Sequence, residues 1–418
     1  MAKNYEVRDI SLAKQGKLNL DWARAHMGAL EEVKKRFQKE KPLKGYRIAM
    51  ALHVTKETGI LVETLIAGGA QVAITGCNPL STQDDIAAAL AENGVRVYAY
   101  KGENHKDYYR YLNKVLDFKP HVTIDDGCDL VNVIHTKRQN LIKDIIGGCE
   151  ETTTGIIRLR AMEKDKALKY PVIAVNDNKT KHLMDNYYGT GQSALDGITR
   201  ATNLLWAGKT VVVIGYGDCG KGVALRAQGM SADVIVCEVD HICALQAKMD
   251  GYEVMKMDEA AKLGDVFITV TGDKHVIDKQ HYGKMKDGAI LANAGHFDSE
   301  INVPALEKMA SKKRIIRPLL AEYTVGKKVI YLAGEGRLVN LVCAEGHPSE
   351  VMSMSFCGQA LACEYIIKNK GKLAASVHQL PVSVDQKIAK LQLDAMGIKI
   401  DKLTPEQIAY LSSWKEGT

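Results

Sequence analysis

The stretch Thr-Val-Val-Val-Ile-Gly-Tyr-Gly-Asp-Cys-Gly-Lys-Gly over residues 210–222 restricts the fold more than any other part of the chain. Its first residues favour a buried strand, and Gly215, Gly217 and Gly220 follow at the G-x-G-x-x-G spacing. Gly215 allows a tight turn, Gly217 lets the backbone approach a pyrophosphate, and Gly220 lets the next helix pack closely. The amides at the start of that helix would hold phosphates. The stretch therefore predicts a dinucleotide-binding fold.

A second predicted strand, Asp233–Cys237, is followed directly by Glu238. An acid at this place, about 20 residues beyond the glycines, bonds the ribose hydroxyls of a dinucleotide. Because the Glu238 carboxylate would repel a 2′-phosphate, the sequence predicts NAD rather than NADP as cofactor.

Length, charge and cysteine usage narrow the class of protein. A chain of 418 residues is too long for one core. We predict a substrate-binding domain (1–185 and 347–385), an NAD-binding domain (186–346) and an oligomerisation tail (386–418). The net charge of +6 comes without a basic run, which argues against nucleic-acid and membrane partners. The nine cysteines form no C-x-x-C pair and the N-terminus has no apolar signal core, so we expect a cytoplasmic protein.

Strands and helices are predicted to alternate along most of the chain. Residues 3 to about 40 have a mostly helical pattern, and Asp196–Trp206 is predicted to be a linking helix. The predicted strands cover residues 47–52, 71–75, 95–99, 120–125, 171–175, 210–214, 233–237, 265–270, 288–293 and 329–333. This βα rhythm predicts an α/β protein with two doubly wound parallel-sheet domains.

Polar side chains stand just past the ends of several predicted strands. His53, Asp126 and Asn176 do so in the first half of the chain, and His296 does so in the second. For any one of them a loop position or a helix cap is as good an interpretation. Ligands bind at the carboxyl ends of the strands in open parallel sheets, so their shared position favours a site.

Lys181 and Asp185 are four residues apart and would share one face of a helix. A surface ion pair of little energetic value is the commoner outcome of such spacing. In a cleft beside a nicotinamide ring, the same pair could take the proton of a hydroxyl group while hydride leaves. Glu151 and Asp126 would add further carboxylates to such a cluster.

Other chemistries find no support in the sequence. The histidines lie far apart and the cysteines do not cluster, so no zinc-site spacing is present. No G-x-S-x-G string of a serine hydrolase occurs either. The residues alone predict an NAD-dependent, two-domain dehydrogenase acting on a small polar alcohol.

Several longer sequence strings indicate a particular protein family. The chain contains His53-Val-Thr55-Lys-Glu57-Thr58, Asn78-Pro-Leu-Ser81-Thr82-Gln83-Asp84-Asp85, Asp125-Asp126-Gly127, Glu150-Glu151-Thr-Thr-Thr154-Gly155, Val175-Asn176-Asp177, Tyr188-Gly189-Thr190-Gly191-Gln192-Ser193, Gly295-His296-Phe297-Asp298, Glu335-Gly336-Arg337-Leu338-Val339-Asn340-Leu341 and Gly346-His347-Pro348. Together with the glycine stretch they resemble the S-adenosylhomocysteine hydrolase (adenosylhomocysteinase) family, in register from about residue 45 to the C-terminal tail.

The resemblance implies a redox-neutral hydrolase that keeps NAD tightly bound. The substrate's ribose 3′-hydroxyl would be oxidised first, which acidifies the C4′ proton. After a base removes that proton, homocysteine leaves from C5′, water adds, and the ketone is reduced to give adenosine. The resemblance also implies a homotetramer.

The resemblance assigns roles to residues one by one. Lys181 and Asp185 are similar to the residues that handle the 3′-hydroxyl proton, with Glu151 and Asn176 nearby; a lysine in this role needs a lowered pKa. Asp126 resembles the C4′ base, and His53 with His296 resembles the pair that serves C5′. Substrate contacts are implied for Thr55, Glu57, Thr58, Asn176 and His347. Cofactor contacts are implied for Thr152, Thr153, Thr154, Asn186, Gly215, Gly217, Asp218, Cys219, Gly220, Lys221, Gly222, Glu238, Cys243, Ala294, Gly295, His296, Asn340 and Lys415.

The chain departs from many family members at three places. Cys243 replaces an asparagine that assists the acid on the ribose, and Thr190 replaces a cysteine. The chain ends Trp414-Lys415-Glu-Gly-Thr, without the longer ending that reaches a neighbour's NAD site in long-tailed members. The short tail resembles that of the archaeal and thermophilic bacterial branch.

Three alternatives remain at this point. S-Inosylhomocysteine is a possible substrate in place of the adenosyl compound, as in some short-tailed relatives. A D-2-hydroxyacid dehydrogenase shares the two-domain plan and would consume free NAD. A catalytically inactive homologue should lack one of the residues Lys181, Asp185, Asp126 and His53, all of which are present.

Overall fold

The computed structural model describes residues 4–415. Its strands are β1 (Tyr5–Val7), β2 (Arg47–Ala51), β3 (Gln71–Thr75), β4 (Arg96–Ala99), β5 (Val122–Asp125), β6 (Gly147–Glu150), β7 (Val172–Ala174), β8 (Thr210–Ile214), β9 (Asp233–Cys237), β10 (Glu253–Val254), β11 (Val266–Thr269), β12 (Ala289–Asn293), β13 (Lys312–Arg317), β14 (Leu320–Val325), β15 (Lys328–Ala333) and β16 (Val377–His378).

Helices connect the strands. They are α1 (Ala13–His26), α2 (Gly28–Glu40), α3 (Lys56–Ala67), α4 (Asp84–Glu92), α5 (His105–Leu116), α6 (Asp129–Lys137), α7 (Thr153–Lys164), α8 (Lys179–Lys181), α9 (Thr190–Thr202), α10 (Asp218–Gly229), α11 (His241–Met249), α12 (Met257–Ala260), α13 (Lys279–Tyr282), α14 (Val303–Met309), α15 (Val339–Val342), α16 (Ser349–Lys368), α17 (Val382–Ala395) and α18 (Pro405–Leu411). None of the helices within residues 4–415 combines the length and the apolar character needed to cross a membrane.

The first sheet has the strand order β1-β4-β3-β2-β5-β6-β7-β16, and its strands pair in parallel. Alternate residues of β2 lie on opposite faces of the sheet. Ile48 and Met50 join one hydrophobic cluster, whereas Ala49 and Ala51 join another. Both faces are therefore covered by helices, as expected for a doubly wound sheet.

The second sheet has the order β10-β9-β8-β11-β12-β15-β14-β13. The pairs from β10 to β15 are parallel, whereas β14 pairs antiparallel with both β15 and β13. In β8, Val211 and Val213 belong to one cluster and Val212 and Ile214 to another. The predicted α/β class with two parallel-dominated sheets is confirmed.

Some predicted elements were wrong in detail. β1 lies inside the segment predicted to be mostly helical, because a three-residue edge strand is too short to show a period. The linking helix α9 spans Thr190–Thr202 rather than 196–206.

Two segments join the sheets. A π-helix, His182–Gly189, follows α8 directly and leads into α9. After the second sheet, α16 returns to the first and buries Phe356, Cys357 and Ala360 in its core. Lys181 and Asp185 thus lie where the chain leaves the first sheet, and the segment before α16 lies where it comes back.

Candidate active site

A cavity of about 1030 Å³ lies at the carboxyl ends of the strands of both sheets. Of the predicted site residues, it is lined by His53, Thr55, Glu57, Thr58, Asp126, Glu151, Thr152, Thr153, Thr154, Asn176, Lys181, Asp185, Asn186, Gly215, Gly217, Asp218, Cys219, Glu238, Ala294, Gly295, His296, Asn340 and His347. Residues spread over almost 300 positions of the sequence therefore share one cleft. Such a cleft beyond the strand ends is the expected place for ligands in this architecture.

Five predicted cofactor residues do not line the cavity: Gly220, Lys221, Gly222, Cys243 and Lys415. Gly220 and Gly222 pack against backbone instead, at Gly215 and Tyr187, where a side chain would collide. Both glycines therefore allow close packing of α10. Lys415 is exposed on the tail, and Cys243 lies in the first turn of α11.

The glycine turn has the geometry that the sequence predicts. Gly215 has φ +106°, in the region that favours glycine. A Cβ on Gly217 would meet open space, so the backbone there is free for a ligand to approach. Helix α10 begins at Asp218, directly after this turn. A phosphate can therefore approach the amides at the helix start.

Glu238 is held in place at the end of β9. Its Oε2 accepts from Tyr216 N at 2.6 Å, and its Oε1 accepts from Val239 N at 2.6 Å and Asp240 N at 3.0 Å. These bonds fix the carboxylate beside the glycine turn. Each oxygen can accept more than one bond, so the group can still bind ribose hydroxyls and repel a phosphate.

Asn340 offers a second polar atom to a cofactor. Its Nδ2 donates to Ser193 Oγ at 3.2 Å and lies 3.2 Å from His347 Nε2. Its Oδ1 is buried and has no partner among residues 4–415. Buried polar atoms are rarely left unpaired, so this acceptor suits a ligand with an N–H donor. The glycine turn, Glu238 and Asn340 together fit NAD.

Lys181 lies at the centre of a buried charge cluster. Its Nζ donates to Asn186 Oδ1 at 2.8 Å and Asn176 Oδ1 at 3.1 Å, and it lies 3.3 Å from Asp185 Oδ1 and 3.8 Å from Glu151 Oε1. Lys181 and Asp185 are each 4% exposed. The interpretation as a surface ion pair is therefore wrong.

The pKa of Lys181 does not follow the expectation from the sequence. Burial lowers it, but Asp185 and Glu151 outweigh burial, and the pKa of Lys181 ends above its ordinary value. Lys181 is therefore an ammonium ion before substrate binds. Burial acts to raise the pKa of Asp185, but the opposing effect of Lys181 and His347 is larger. The pKa of Asp185 is therefore lowered, and its carboxylate stays ionised.

Glu151 is the member of the cluster that titrates in the working range. Burial, opposed by Lys181, raises the pKa of Glu151 to about 7. Its Oε1 accepts from Ser355 Oγ at 2.6 Å, and its Oε2 accepts from Gln359 Nε2. Both donors come from α16 and were missed by the sequence reasoning, since no spacing rule connects positions more than 200 residues apart.

A second cluster surrounds Asp126. His53 Nε2 lies 3.4 Å from Asp126 Oδ2, and His296 Nδ1 lies 3.5 Å from Asp126 Oδ1. Burial lowers the pKa of His53 to about 4, so the ring is neutral near neutral pH. The other ring nitrogen of His53 bonds Ser81 Oγ at 2.7 Å. The structure thus brings together a carboxylate and two imidazoles that can exchange a proton.

Cys77 belongs to the same cluster and was missed. Its Sγ lies 3.6 Å from Asp126 Oδ2, and ligand atoms of His53, Cys77 and Asp126 fall within 4.8 Å of one another. The thiol is a neutral donor to the carboxylate, because burial raises its pKa well above the ordinary value.

The Glu57 carboxylate is fixed at another wall of the cavity. It is 2% exposed, and its Oε1 accepts from Ser349 Oγ at 2.7 Å and lies 3.4 Å from Lys56 Nζ. The same ammonium group donates to Glu345 Oε2 at 2.9 Å. Lys56 and Ser349 were not predicted as site residues. His347 is close by in sequence, but its Nδ1 lies 3.3 Å from Asp185 Oδ1 and so joins the lysine cluster.

Comparison with known families matches residues 186–346 to the NAD-binding domain of S-adenosyl-L-homocysteine hydrolase and residues 4–143 to S-adenosyl-L-homocysteine hydrolase. A protein of Methanocaldococcus jannaschii named S-inosyl-L-homocysteine hydrolase is 62% identical, over 99% of this chain and 100% of that protein. One of the same name from Methanococcus maripaludis is 58% identical, over 99% of each chain. The adenosylhomocysteinase of Sulfolobus acidocaldarius is 56% identical, over 99% of this chain and 100% of that protein.

Proposed function

The chain belongs to the S-adenosyl-L-homocysteine hydrolase family, and we propose that it reversibly hydrolyses S-adenosyl-L-homocysteine to adenosine and L-homocysteine. One observation carries the proposal: the buried Lys181–Asp185–Glu151 cluster lines the same cavity as the glycine turn and Glu238. A group that deprotonates a hydroxyl is thereby within reach of the dinucleotide site. Bound NAD would accept a hydride from C3′ and return it at the end of the reaction, so no net oxidant is needed.

The lysine cluster handles the proton of the 3′-hydroxyl. Lys181 must lose a proton before its amine can accept one, and both Asp185 and Glu151 lie within 4 Å of its Nζ. Asp185 is held ionised, whereas Glu151 has a pKa of about 7. Glu151 is therefore the group that takes the proton from Lys181, and Asp185 keeps the lysine in place.

Asp126 removes the C4′ proton once C3′ is a ketone. The proton passes to His53, whose Nε2 lies 3.4 Å away and whose ring is neutral. His53 then protonates the sulfur of homocysteine as the C5′–S bond breaks. In the second half of the reaction, His53 with His296 accepts a proton from the water that adds at C5′, and Asp126 returns a proton to C4′. Carboxylate and imidazole pairs of this kind serve as general acid and base.

Glu57 supports adenine as the preferred base. An ionised carboxylate accepts hydrogen bonds but donates none, so it suits the 6-amino group of adenine and repels the 6-oxo group of hypoxanthine. Lys56 Nζ lies 3.4 Å from Glu57 Oε1, so the ammonium group helps to hold the carboxylate at this wall of the cavity. The second candidate is S-inosyl-L-homocysteine, which the names of two close relatives favour.

A thiol-release assay tests the proposal. The purified protein, without added NAD, receives S-adenosyl- or S-inosyl-L-homocysteine, and homocysteine is titrated. Faster release from the adenosyl compound is expected, with a smaller difference in Glu57→Gln, whose amide can also donate. Faster release from the inosyl compound would select the second candidate. Release only with stoichiometric reduction of added NAD would indicate a dehydrogenase.

The division into domains, the assembly and the location are further parts of the proposal. We propose a substrate-binding part (1–185 and 347–385), an NAD-binding part (186–346), and a tail from residue 386 that contributes to a homotetramer in the cytoplasm. Exposed apolar side chains support a subunit contact, among them Val239, Ile242, Met249, Leu205 and Trp414. Gel filtration with light scattering measures the assembly directly.

A further inference from the structure

We propose that Glu150, which lines no part of the cavity, is a positioning residue that sets the place of the base Asp126 relative to the cofactor-side segment at Thr152. The proposal rests on the function given above for Asp126. Glu150 is the last residue of β6 and is 0% exposed. It lies opposite Asp125, the last residue of β5, in the parallel register of the two strands.

The Glu150 carboxylate binds three backbone N–H groups. Its Oε1 accepts from Gly127 N at 2.8 Å and from Thr152 N at 3.1 Å. Its Oε2 accepts from Cys128 N at 3.1 Å. One side chain therefore joins the two residues after Asp126 to the residue that begins the Thr152–Thr154 segment.

The backbone after Asp126 needs such an anchor. Gly127 has φ +100° and Cys128 has φ +66°, so two successive residues are left-handed. A non-glycine residue in this region is strained, and it persists only where its surroundings hold it. Successive N–H groups in turns of this kind form a concave anion site, which the Glu150 carboxylate fills from within the protein.

Neighbouring residues also help to fix the backbone around Asp126. Asp125 Oδ1 accepts from Asp126 N at 3.0 Å, and its Oδ2 accepts from Val131 N at 2.9 Å. A side chain at residue 155 would collide with the Glu150 carboxylate, so Gly155 leaves the space that Glu150 occupies. The consecutive amides of residues 126–128 are thus each bound by a buried carboxylate.

The three partners also explain why an acid, and not its amide, stands at this position. Burial and the nearby Asp125 and Asp126 raise the pKa of Glu150 well above its ordinary value, and the N–H groups of Gly127 and Thr152 oppose this rise. All three partners are donors, and the carboxylate form accepts at both oxygens. In Glu150→Gln, one oxygen becomes an NH₂ group that meets an N–H without bonding it. The loop that carries Asp126 then loses one anchor while the side chain keeps its shape. Misplacement of a reacting group by about 1 Å can lower a rate about 100-fold.

The test compares two steps on one sample of full-length protein. With adenosine in heavy water, bound NADH absorbance reports oxidation at C3′, and NMR reports exchange of the C4′ hydrogen. Glu150→Gln should reduce C4′ exchange about 100-fold and change the formation of NADH by less than about 3-fold. Glu150→Asp keeps the charge with a shorter reach and should show the same selectivity to a smaller degree, which covers the case in which the glutamine variant does not fold. Glu32→Gln, exposed on α2, is the matched control and should change neither step.

A double variant separates positioning from general stability. Because Glu150 acts through Asp126, adding Glu150→Gln to Asp126→Asn should cause no further loss of exchange. Parental exchange in Glu150→Gln, equal losses in both steps, or additive losses in the double variant each overturn the inference. A parent that shows neither signal overturns the proposed function itself, and this inference with it.

Discussion

Replacing Asp126 by asparagine should separate the two halves of the reaction. The side chain lies between His53 Nε2 at 3.4 Å and His296 Nδ1 at 3.5 Å. Asn keeps the size and polarity of this group but cannot take up a proton. In the proposed reaction, hydride leaves C3′ before the C4′ proton is removed, so only the later step should be lost.

The structure bounds the size of the effect. A general base contributes about 10²- to 10⁴-fold to its step, so C4′ exchange should fall by at least about 100-fold. His53 is neutral because burial lowers its pKa to about 4, and the substitution therefore breaks no ion pair with that ring. The loss should be limited to about one hydrogen bond, or about 1 kcal/mol of unfolding free energy.

The assay follows bound NADH absorbance and C4′ exchange with adenosine in heavy water, and homocysteine release with the thioether substrate. We expect NADH at close to the parental rate, C4′ exchange lower by at least about 100-fold, and homocysteine release lower to a similar degree. Asp233→Asn, at the exposed start of β9, is the control and should behave as the parent. Retained exchange would move the base to another group, with His53 the nearest. Loss of NADH as well would show that Asp126 binds substrate or shapes the cavity.

Three further predictions concern the cofactor and the lysine cluster. Glu238→Ala removes the charge that repels a 2′-phosphate, so NAD should dissociate more readily and NADP should bind; unchanged retention of NAD with continued exclusion of NADP contradicts this assignment. Lys181→Met should abolish the rise in NADH absorbance after adenosine is added, with NAD content measured as the control, and a parental rate would leave Lys181 a purely structural cation. The rate of NADH formation should fall as pH drops below about 7, because Glu151, with its pKa raised to about 7, must be ionised to accept a proton. Glu151→Gln should remove this pH dependence along with most of the rate, and a midpoint that stays in the variant would assign it to another group.

Local sequence signals located those residues of the candidate site that come directly after a strand. The turn at Gly215 and the carboxylate of Glu238 are fixed by backbone geometry within one βαβ unit, so spacing alone locates them. The positions of His53 and Asp126 also follow from strand ends. Spacing cannot predict a hydrogen-bond partner that lies on an element remote in sequence. Examples are Ser355, which donates to Glu151, and Ser349, which donates to Glu57.

Of the strands that the sequence did not predict, β6 lies inside the first sheet and the others lie at a sheet edge or next to one. β1 is three residues long and half-buried, and β13 is exposed along its whole length, so neither has an alternating pattern. The antiparallel turn of the second sheet at β14 breaks the βα rhythm from which the parallel order was predicted. Edge strands are less constrained by burial than central ones, and the sequence carries correspondingly less information about them.

The raised pKa of Lys181 changes how the redox step is understood. The sequence interpretation asked for a lysine with a lowered pKa, whereas two carboxylates hold this one charged. Lys181 is a buried ammonium ion beside the ionised carboxylate of Asp185. Glu151, with a pKa of about 7, is therefore the group of this cluster that can gain or lose charge near neutral pH. In the proposed mechanism, Glu151 already holds the proton that the lysine released when the 3′-hydroxyl gives its own proton to the lysine. The donors Ser355 and Gln359 stabilise the ionised form of Glu151 and so keep its pKa from rising higher, which leaves it able to carry a proton in either direction. A reaction that oxidises and later reduces the same carbon needs this reversibility, because the proton must return when the ketone is reduced.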